Sequence, residues 1–283
     1  MSDFCVDLKS AACFGVAGNF TGHLEQAGEA GDFVNIKTVE AKAPKAIFPT
    51  YIPNGDRFVP KFLNLYPFDS GKIIYPANED KLQIEPECAI VCDAKWEGSK
   101  LVDLKPFCFG ASNDCSIRKE GAKKISQKKN WGKCSKGFSD KLIHIDDFSE
   151  KGILSRYRIA SFLVRGGEVF AYGEDSPVSG YSYIYKKLID WMLEKFNNQC
   201  DEGPAENINL YLNKCGRPEK IMVSIGATRY TDFGEHNFLQ AGDASVVVLY
   251  PGDKYLADEI KNLVAAKDFS APDISFLYQT VEI

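Results

Sequence analysis

Two glutamates two residues apart, Glu85 and Glu87, are the pair in this sequence whose type and spacing best suit chemistry. In an extended strand, residues two apart project from the same face. The segment Leu82-Gln83-Ile84-Glu85-Pro86-Glu87-Cys88-Ala89-Ile90-Val91 therefore sets two carboxylates side by side, with Ile84, Cys88 and Ile90 turned the other way. Close carboxylates repel one another unless a cation lies between them. Their all-oxygen donor set suits a hard ion, Mg²⁺ or Mn²⁺, or Ca²⁺ where the site is roomier. The same spacing also describes the polar face of a half-exposed strand, and Pro86, which has no N–H to give to a ladder, points to a sheet edge.

The elements that must position this pair are mostly strands. Segments rich in β-branched and aromatic residues recur at Glu87 to Cys92, Arg158 to Val164, Glu168 to Tyr172, Ile221 to Ile225 and Ala244 to Tyr250, each bounded by Gly, Asn, Asp or Pro. One helix is expected over Tyr181 to Phe196, where Ile184, Leu188, Trp191 and Met192 recur at helical spacing after Pro177 and Gly180. A lone strong helix among many strands gives a β-rich α+β class. A boundary falls in the Pro- and Gly-containing stretch before Lys81, dividing an N-terminal region of residues 1–75 from a strand-rich region of residues 76–283, the two also being readable as one continuous domain.

Composition narrows the chemistry. Lys and Arg number 34 against 39 Asp and Glu, a formal charge of −5, which provides no global attraction for nucleic acid or anionic membrane. The basic run Lys119 to Lys136 nearly lacks the interleaved aromatics of a nucleic-acid groove, and the bland reading of its lysines is a solvated loop. Apolar runs such as Ser245 to Tyr250 are too short to span a bilayer, and the start Met-Ser-Asp-Phe is not a leader, so a cytoplasmic protein is expected. Nine cysteines at 5, 13, 88, 92, 108, 115, 134, 200 and 215 contain no CxxC pair, so free and largely buried thiols are expected, with none assigned to catalysis.

Three further segments carry a resemblance. Gly110-Ala111-Ser112-Asn113-Asp114-Cys115-Ser116-Ile117-Arg118 follows the acidic pair by about one strand-turn-strand; Trp131-Gly132-Lys133-Cys134-Ser135-Lys136-Gly137-Phe138 comes later; and Phe14-Gly15-Val16-Ala17-Gly18-Asn19-Phe20-Thr21-Gly22-His23 stands near the start. Acidic ExE, then N-D-x-S-x-R, then Lys-Gly-Phe resembles the core signature of the fumarylacetoacetate hydrolase-like family. The resemblance extends from about Phe14 to Tyr250. It departs at Lys119, where the family has an acid after the arginine, and at Phe62-Leu63-Asn64-Leu65-Tyr66-Pro67, where a lysine is missing.

This resemblance implies a mixed β-sandwich or roll, a metal held by Glu85, Glu87 and Asp114, and catalytic roles for His23 and Lys136, with Lys133 the alternative lysine. It also implies substrate contacts from Arg118, Lys133, Gly226 and Thr228. The family's histidine pairs with a glutamate three residues on, where this chain has Gln26; Glu25 or Glu29 is then the acid expected to orient His23. The implied activity is hydrolytic or lyase cleavage of a C–C bond in a small β-dicarbonyl or 2-oxo acid, with Mg²⁺ or Mn²⁺ and a homodimeric assembly. The competing reading is a non-catalytic metal- or metabolite-binding descendant, because Gln26, Tyr66, Lys119 and Ala227 all fall where substrate-side groups belong.

Overall fold

The computed structural model describes residues 6–33, 36, 38–119 and 121–283; Cys5 lies outside the described residues. Its strands, in chain order, are β1 (Ala12–Ala17), β2 (Ala46–Tyr51), β3 (Lys72–Ile74), β4 (Leu82–Gln83), β5 (Pro86–Glu97), β6 (Lys100–Asn113), β7 (Ser116–Ile117), β8 (Gly137–Phe138), β9 (Ile143–His144), β10 (Tyr157–Arg165), β11 (Glu168–Pro177), β12 (Lys220–Ala227), β13 (Ala244–Pro251) and β14 (Ser275–Glu282). The helices are α1 (His23–Gln26), α2 (Tyr185–Asn198), α3 (Ile208–Lys214), α4 (Asp232–His236) and α5 (Ala257–Ala266).

Two hairpins set the frame. β5 and β6 are joined through Gly98-Ser99, with Gly98 at φ +61°, and β10 and β11 through Gly166-Gly167, both at positive φ. Two-residue loops that match strand twist require positive φ, which glycine adopts without a Cβ penalty. The first sheet runs β2-β1-β12-β5-β6-β8, with β9 also on β6, and mixes parallel and antiparallel pairs. The second runs β11-β10-β13-β14-β3. Ile90 and Phe109 from the first sheet and Ile159, Leu163, Leu249 and Leu277 from the second meet in one apolar core, where Phe109 and Tyr157 contact edge to face at 4.8 Å between centroids. This is the β-rich sandwich expected from the sequence. The first 75 residues supply β1 and β2 to one sheet and β3 to the other.

Two local expectations change. β5 is not an edge strand: it lies between β12 and β6, and Pro86 is its first residue, the position where a missing N–H interrupts no ladder. The helix starts at Tyr185 instead of Tyr181, because the preceding residues are already held: the Tyr183 N–H donates to Asn19 Oδ1 (2.8 Å), and Tyr181 OH donates to the Gly226 carbonyl (2.7 Å). All eight cysteines among the described residues are free, and five are buried. No helix among them is long and apolar enough to cross a membrane.

Candidate metal centre and its covering segment

The β5–β6 ladder brings the acids together. Pro86 stands opposite Asn113 and Glu87 opposite Ser112, so Glu85 and Asp114 flank one end of the same hairpin. Asn113 fixes that end: its Oδ1 accepts the Glu85 N–H at 3.1 Å, while its amide donates to Ser245 Oγ and Gln279 Oε1. The Asp114 N–H in turn donates to the Glu85 carbonyl at 3.1 Å. Glu87 is held from the other neighbour. Between Ser224 and Ala227 the β12–β5 register shifts, Gly226 takes φ +124°, and its N–H donates to Glu87 Oε2 at 2.7 Å. A bulge beside a site re-aims backbone groups in this way, and a Cβ at Gly226 would meet Asn19 Cβ at 3.0 Å. Glu85, Glu87 and Asp114 are all buried, and each offers an oxygen within 4.8 Å of the others.

Buried like charges require compensation. Lys129 Nζ contacts Glu85 Oε2 and lies 2.9 Å from Asp114 Oδ2; Lys136 Nζ lies 3.0 Å from Asp114 Oδ1 and also donates to the Cys115 carbonyl; Arg118 lies 2.8 Å from Glu85 Oε1. Burial by itself raises the Glu85 carboxyl, but Lys129 and Arg118 outweigh it and hold Glu85 well below the usual carboxylate range. Burial, with the charges of Asp114 and Glu85, pushes Glu87 well above that range. Burial also lowers Lys136, whereas the surrounding acids keep Lys129 high despite its burial. Glu85 Oε1 and Asp114 Oδ2 touch their cations as ions, yet neither receives an aligned hydrogen bond. Two buried lone-pair sites inside an all-oxygen cluster fit a hard divalent cation, so the donor set and its placement suit the implied metal.

α1 forms the cover. His23 is buried, and its Nδ1 lies 2.9 Å from the Thr228 carbonyl. A carbonyl only accepts, so Nδ1 carries the proton and Nε2 holds a lone pair when the ring is neutral. Burial lowers the His23 pKa, favouring that neutral form over the opposing pull of Glu85. Glu25 is exposed, and Gln26 spans α1 to the β12 side: its amide donates to the Tyr230 carbonyl and Glu235, and its Oε1 accepts the Tyr230 N–H. Glu29 is buried and engaged by Arg118 at 2.7 Å and Lys128 at 2.8 Å.

The structure thus gathers Glu85, Glu87, Asp114, Lys136, His23, Gly226 and the Thr228 backbone around one centre. Arg118 borders it with its guanidinium spent on Gln83, Glu29, Tyr230, Ser116 and Glu85. Lys133 is exposed and outside the group. The basic run is not a uniformly solvated loop: Lys128, Lys129 and Lys136 are buried, which goes against the bland alternative for Lys136. Lys129 is the residue that sequence reading missed. Nothing in a lysine-rich run separates it from exposed Lys123 or Lys133; only the three-dimensional approach to Glu85 and Asp114 does.

His23, Glu29, Lys129, Glu85 and Glu87 line an inner cavity of about 20 Å³, room for roughly one water or ion. Glu29 also borders an outer cleft of about 550 Å³ with Arg118, Lys119, Lys128 and Gln83.

Residues 29–281 match the model of a family described as a family of unknown function, DUF5718. No curated protein matches. Among solved structures, a 2-keto-3-deoxy-D-arabinonate dehydratase complexed with magnesium and 2,5-dioxopentanoate aligns at 14% identity and TM-score 0.53, covering 96% of this chain and 72% of that one. A fumarylacetoacetate hydrolase family protein from Yersinia pestis CO92 aligns at 12% identity and TM-score 0.53, covering 95% and 92%. A 5-carboxymethyl-2-hydroxymuconate delta-isomerase from Mycobacterium smegmatis aligns at 14% and TM-score 0.51, covering 96% and 78%. With two packed sheets that carry three convergent carboxylates under a histidine, the chain has the fumarylacetoacetate hydrolase-like fold and belongs to the DUF5718 family.

Proposed function

We propose that this protein is a divalent-metal-dependent enzyme acting on a small 2-oxo acid or β-dicarbonyl compound, with Glu85, Glu87 and Asp114 as the metal ligands. The observation that carries this reading is the convergence of three buried carboxylates, two with unaligned lone pairs, beneath a neutral histidine. A bound Mg²⁺ or Mn²⁺ would supply Lewis-acid polarisation of a substrate carbonyl. His23 Nε2, oriented by the Thr228 carbonyl, accepts a proton from water or from a carbon next to the carbonyl. The ammonium of Lys136 offsets negative charge that develops on the substrate. Cleavage of a C–C bond, as in acylpyruvate hydrolysis or oxaloacetate decarboxylation, fits these groups, and so does removal of water from a 2-keto-3-deoxy sugar acid, the class named for one structural neighbour.

Substrate needs more than the inner cavity of about 20 Å³. The reading therefore includes outward movement of α1, between Gly22 at φ +88° and Gly28 at φ +69°, to join that cavity to the outer cleft. A second reading, a non-catalytic descendant, is favoured by this same small cavity and by the lysines that already neutralise the acids. The deciding experiment is turnover of acylpyruvates, oxaloacetate and 2-keto-3-deoxy acids with Mn²⁺ and with EDTA, for wild type and His23→Gln. A chelator-sensitive activity that falls roughly two to four orders of magnitude in His23→Gln supports the enzyme. Absence of turnover across these classes, with Mn²⁺ bound, supports the second reading.

A further inference from the structure

Lys129 is alone among the described residues in bridging two of the three acids. Arg118 reaches only Glu85 and Lys136 only Asp114, whereas the Lys129 ammonium touches Glu85 Oε2 and lies 2.9 Å from Asp114 Oδ2. It is buried, with the Phe48 ring 5.2 Å away, so solvent does not screen it. A unit charge in that place satisfies the same oxygens that a hard divalent ion would claim.

We propose that Lys129 is a tethered counter-ion that occupies the cation position and competes with the divalent metal, so that metal entry requires its ammonium to withdraw. The inference rests on reading the three carboxylates as the metal site. The structure provides a place for the displaced group: Lys129 and buried Glu29 line the same inner cavity as His23, Glu85 and Glu87. An ammonium shifted toward Glu29 would leave the acids to the metal and stand on the side from which substrate enters past the outer cleft. Metal affinity is thereby set by one side chain outside the ligand set. An ion must displace the ammonium's attraction to both carboxylates before it binds, which weakens it about tenfold or more.

The test is the Mn²⁺ dissociation constant of the full chain by titration calorimetry, with thermal unfolding alongside, for wild type, Lys129→Met and Lys129→Arg. Lys129→Met should bind Mn²⁺ tenfold or more tightly than wild type and show the larger metal-dependent rise in Tm. Lys129→Arg, which keeps the charge, should bind no more tightly than wild type. Equal, measurable affinity in wild type and Lys129→Met overturns the competition while leaving the metal site in place. No Mn²⁺ binding by any of the three overturns the metal reading itself. Should Lys129→Met fail to fold alone, folding restored by Mn²⁺ supports the proposal, and a chain that stays unfolded in saturating Mn²⁺ overturns it, since no ion could then take the ammonium's place.

Discussion

The acid cluster and the α1 cover lie against one another but are held by different means. Glu85, Glu87 and Asp114 are set by backbone: the β5–β6 register, the Asp114 N–H on Glu85, and the bulge that aims Gly226 at Glu87. α1 and the residues that follow it are set by side chains that cross to distant segments: His23 to Thr228, Gln26 to Tyr230 and Glu235, and Glu29 to Arg118 and Lys128. A ladder fixes position through many cooperative bonds, whereas a few side-chain bonds can be broken and remade. On the proposed function, this difference makes the cluster the part that stays and the cover the part that moves.

The largest effect should come from breaking the cluster. Asp114→Ala removes the acid shared by Lys129 and Lys136 and leaves both ammonium groups buried with fewer partners. Removing one member of a buried ion network costs about 3–5 kcal/mol. Urea unfolding should therefore show a lower midpoint, and Mn²⁺ should no longer raise Tm; a variant as stable as wild type would place the ammonium groups in solvent and dissolve the contrast.

Next is the support beneath Lys129. The short helical turn at Ile125–Lys128 rests on Glu206, whose carboxylate accepts from Ser126 Oγ at 3.1 Å and whose Oε2 has no partner. Burial, only partly offset by Ser126, Lys124 and Tyr211, raises its pKa to about 7. A carboxyl raised on folding is protonated in the folded chain and ionised in the unfolded one between the two pKa values, so its contribution falls as pH rises from the ordinary glutamate range and levels off above about 7. Glu206→Gln should thus be the more stable chain near pH 8, by at most about 3 kcal/mol, with the advantage fading toward pH 4. A difference independent of pH would show that Glu206 titrates normally.

The same contrast explains what was legible in the sequence. The Glu85–Glu87 spacing is enough to set two acids on one strand, because a ladder translates sequence spacing directly into geometry, whereas Asp114 is legible only through the family resemblance. Pro86 misled about the edge, since a first residue gives up no ladder bond and that position cannot be told from spacing. Lys129 is hidden in a lysine-rich run because its burial depends on contacts with Glu85 and Asp114, well away along the chain. The family pattern points to a nearby acid as the partner of His23, yet its Nδ1 meets a backbone carbonyl 205 residues away, and a carbonyl leaves no mark in a sequence.

Smaller still should be loosening the cover. Gln26→Ala loses the three bonds that tie α1 to Tyr230 and Glu235. Part-buried side-chain bonds of this kind are worth about 0.5–1.5 kcal/mol each, and water replaces some of them. Thermal stability should fall by about 1–2 kcal/mol, while amide exchange at residues 23–29 should quicken and that in β5 and β6 stay unchanged. Equal quickening in both regions would make the cover and the cluster one cooperative unit and end the distinction.

The smallest effect separates two acids that lie four residues apart. An acid that orients His23 must lie within hydrogen-bond reach of its ring, because the role is to fix the tautomer and stabilise the protonated form. Glu25 sits on the exposed side of α1, while the Thr228 carbonyl already accepts from Nδ1. Glu25→Gln should therefore change stability by no more than about 0.5 kcal/mol, as exposed substitutions generally do. It should also leave the pH profile of turnover in place. Glu29→Gln should not be so mild, because it strips charge from the partner of both Arg118 and Lys128. Should Glu25→Gln reproduce the His23→Gln defect, α1 must turn when substrate binds and bring Glu25 inward, and the orienting role would pass from the fixed strand end at Thr228 to the moving cover.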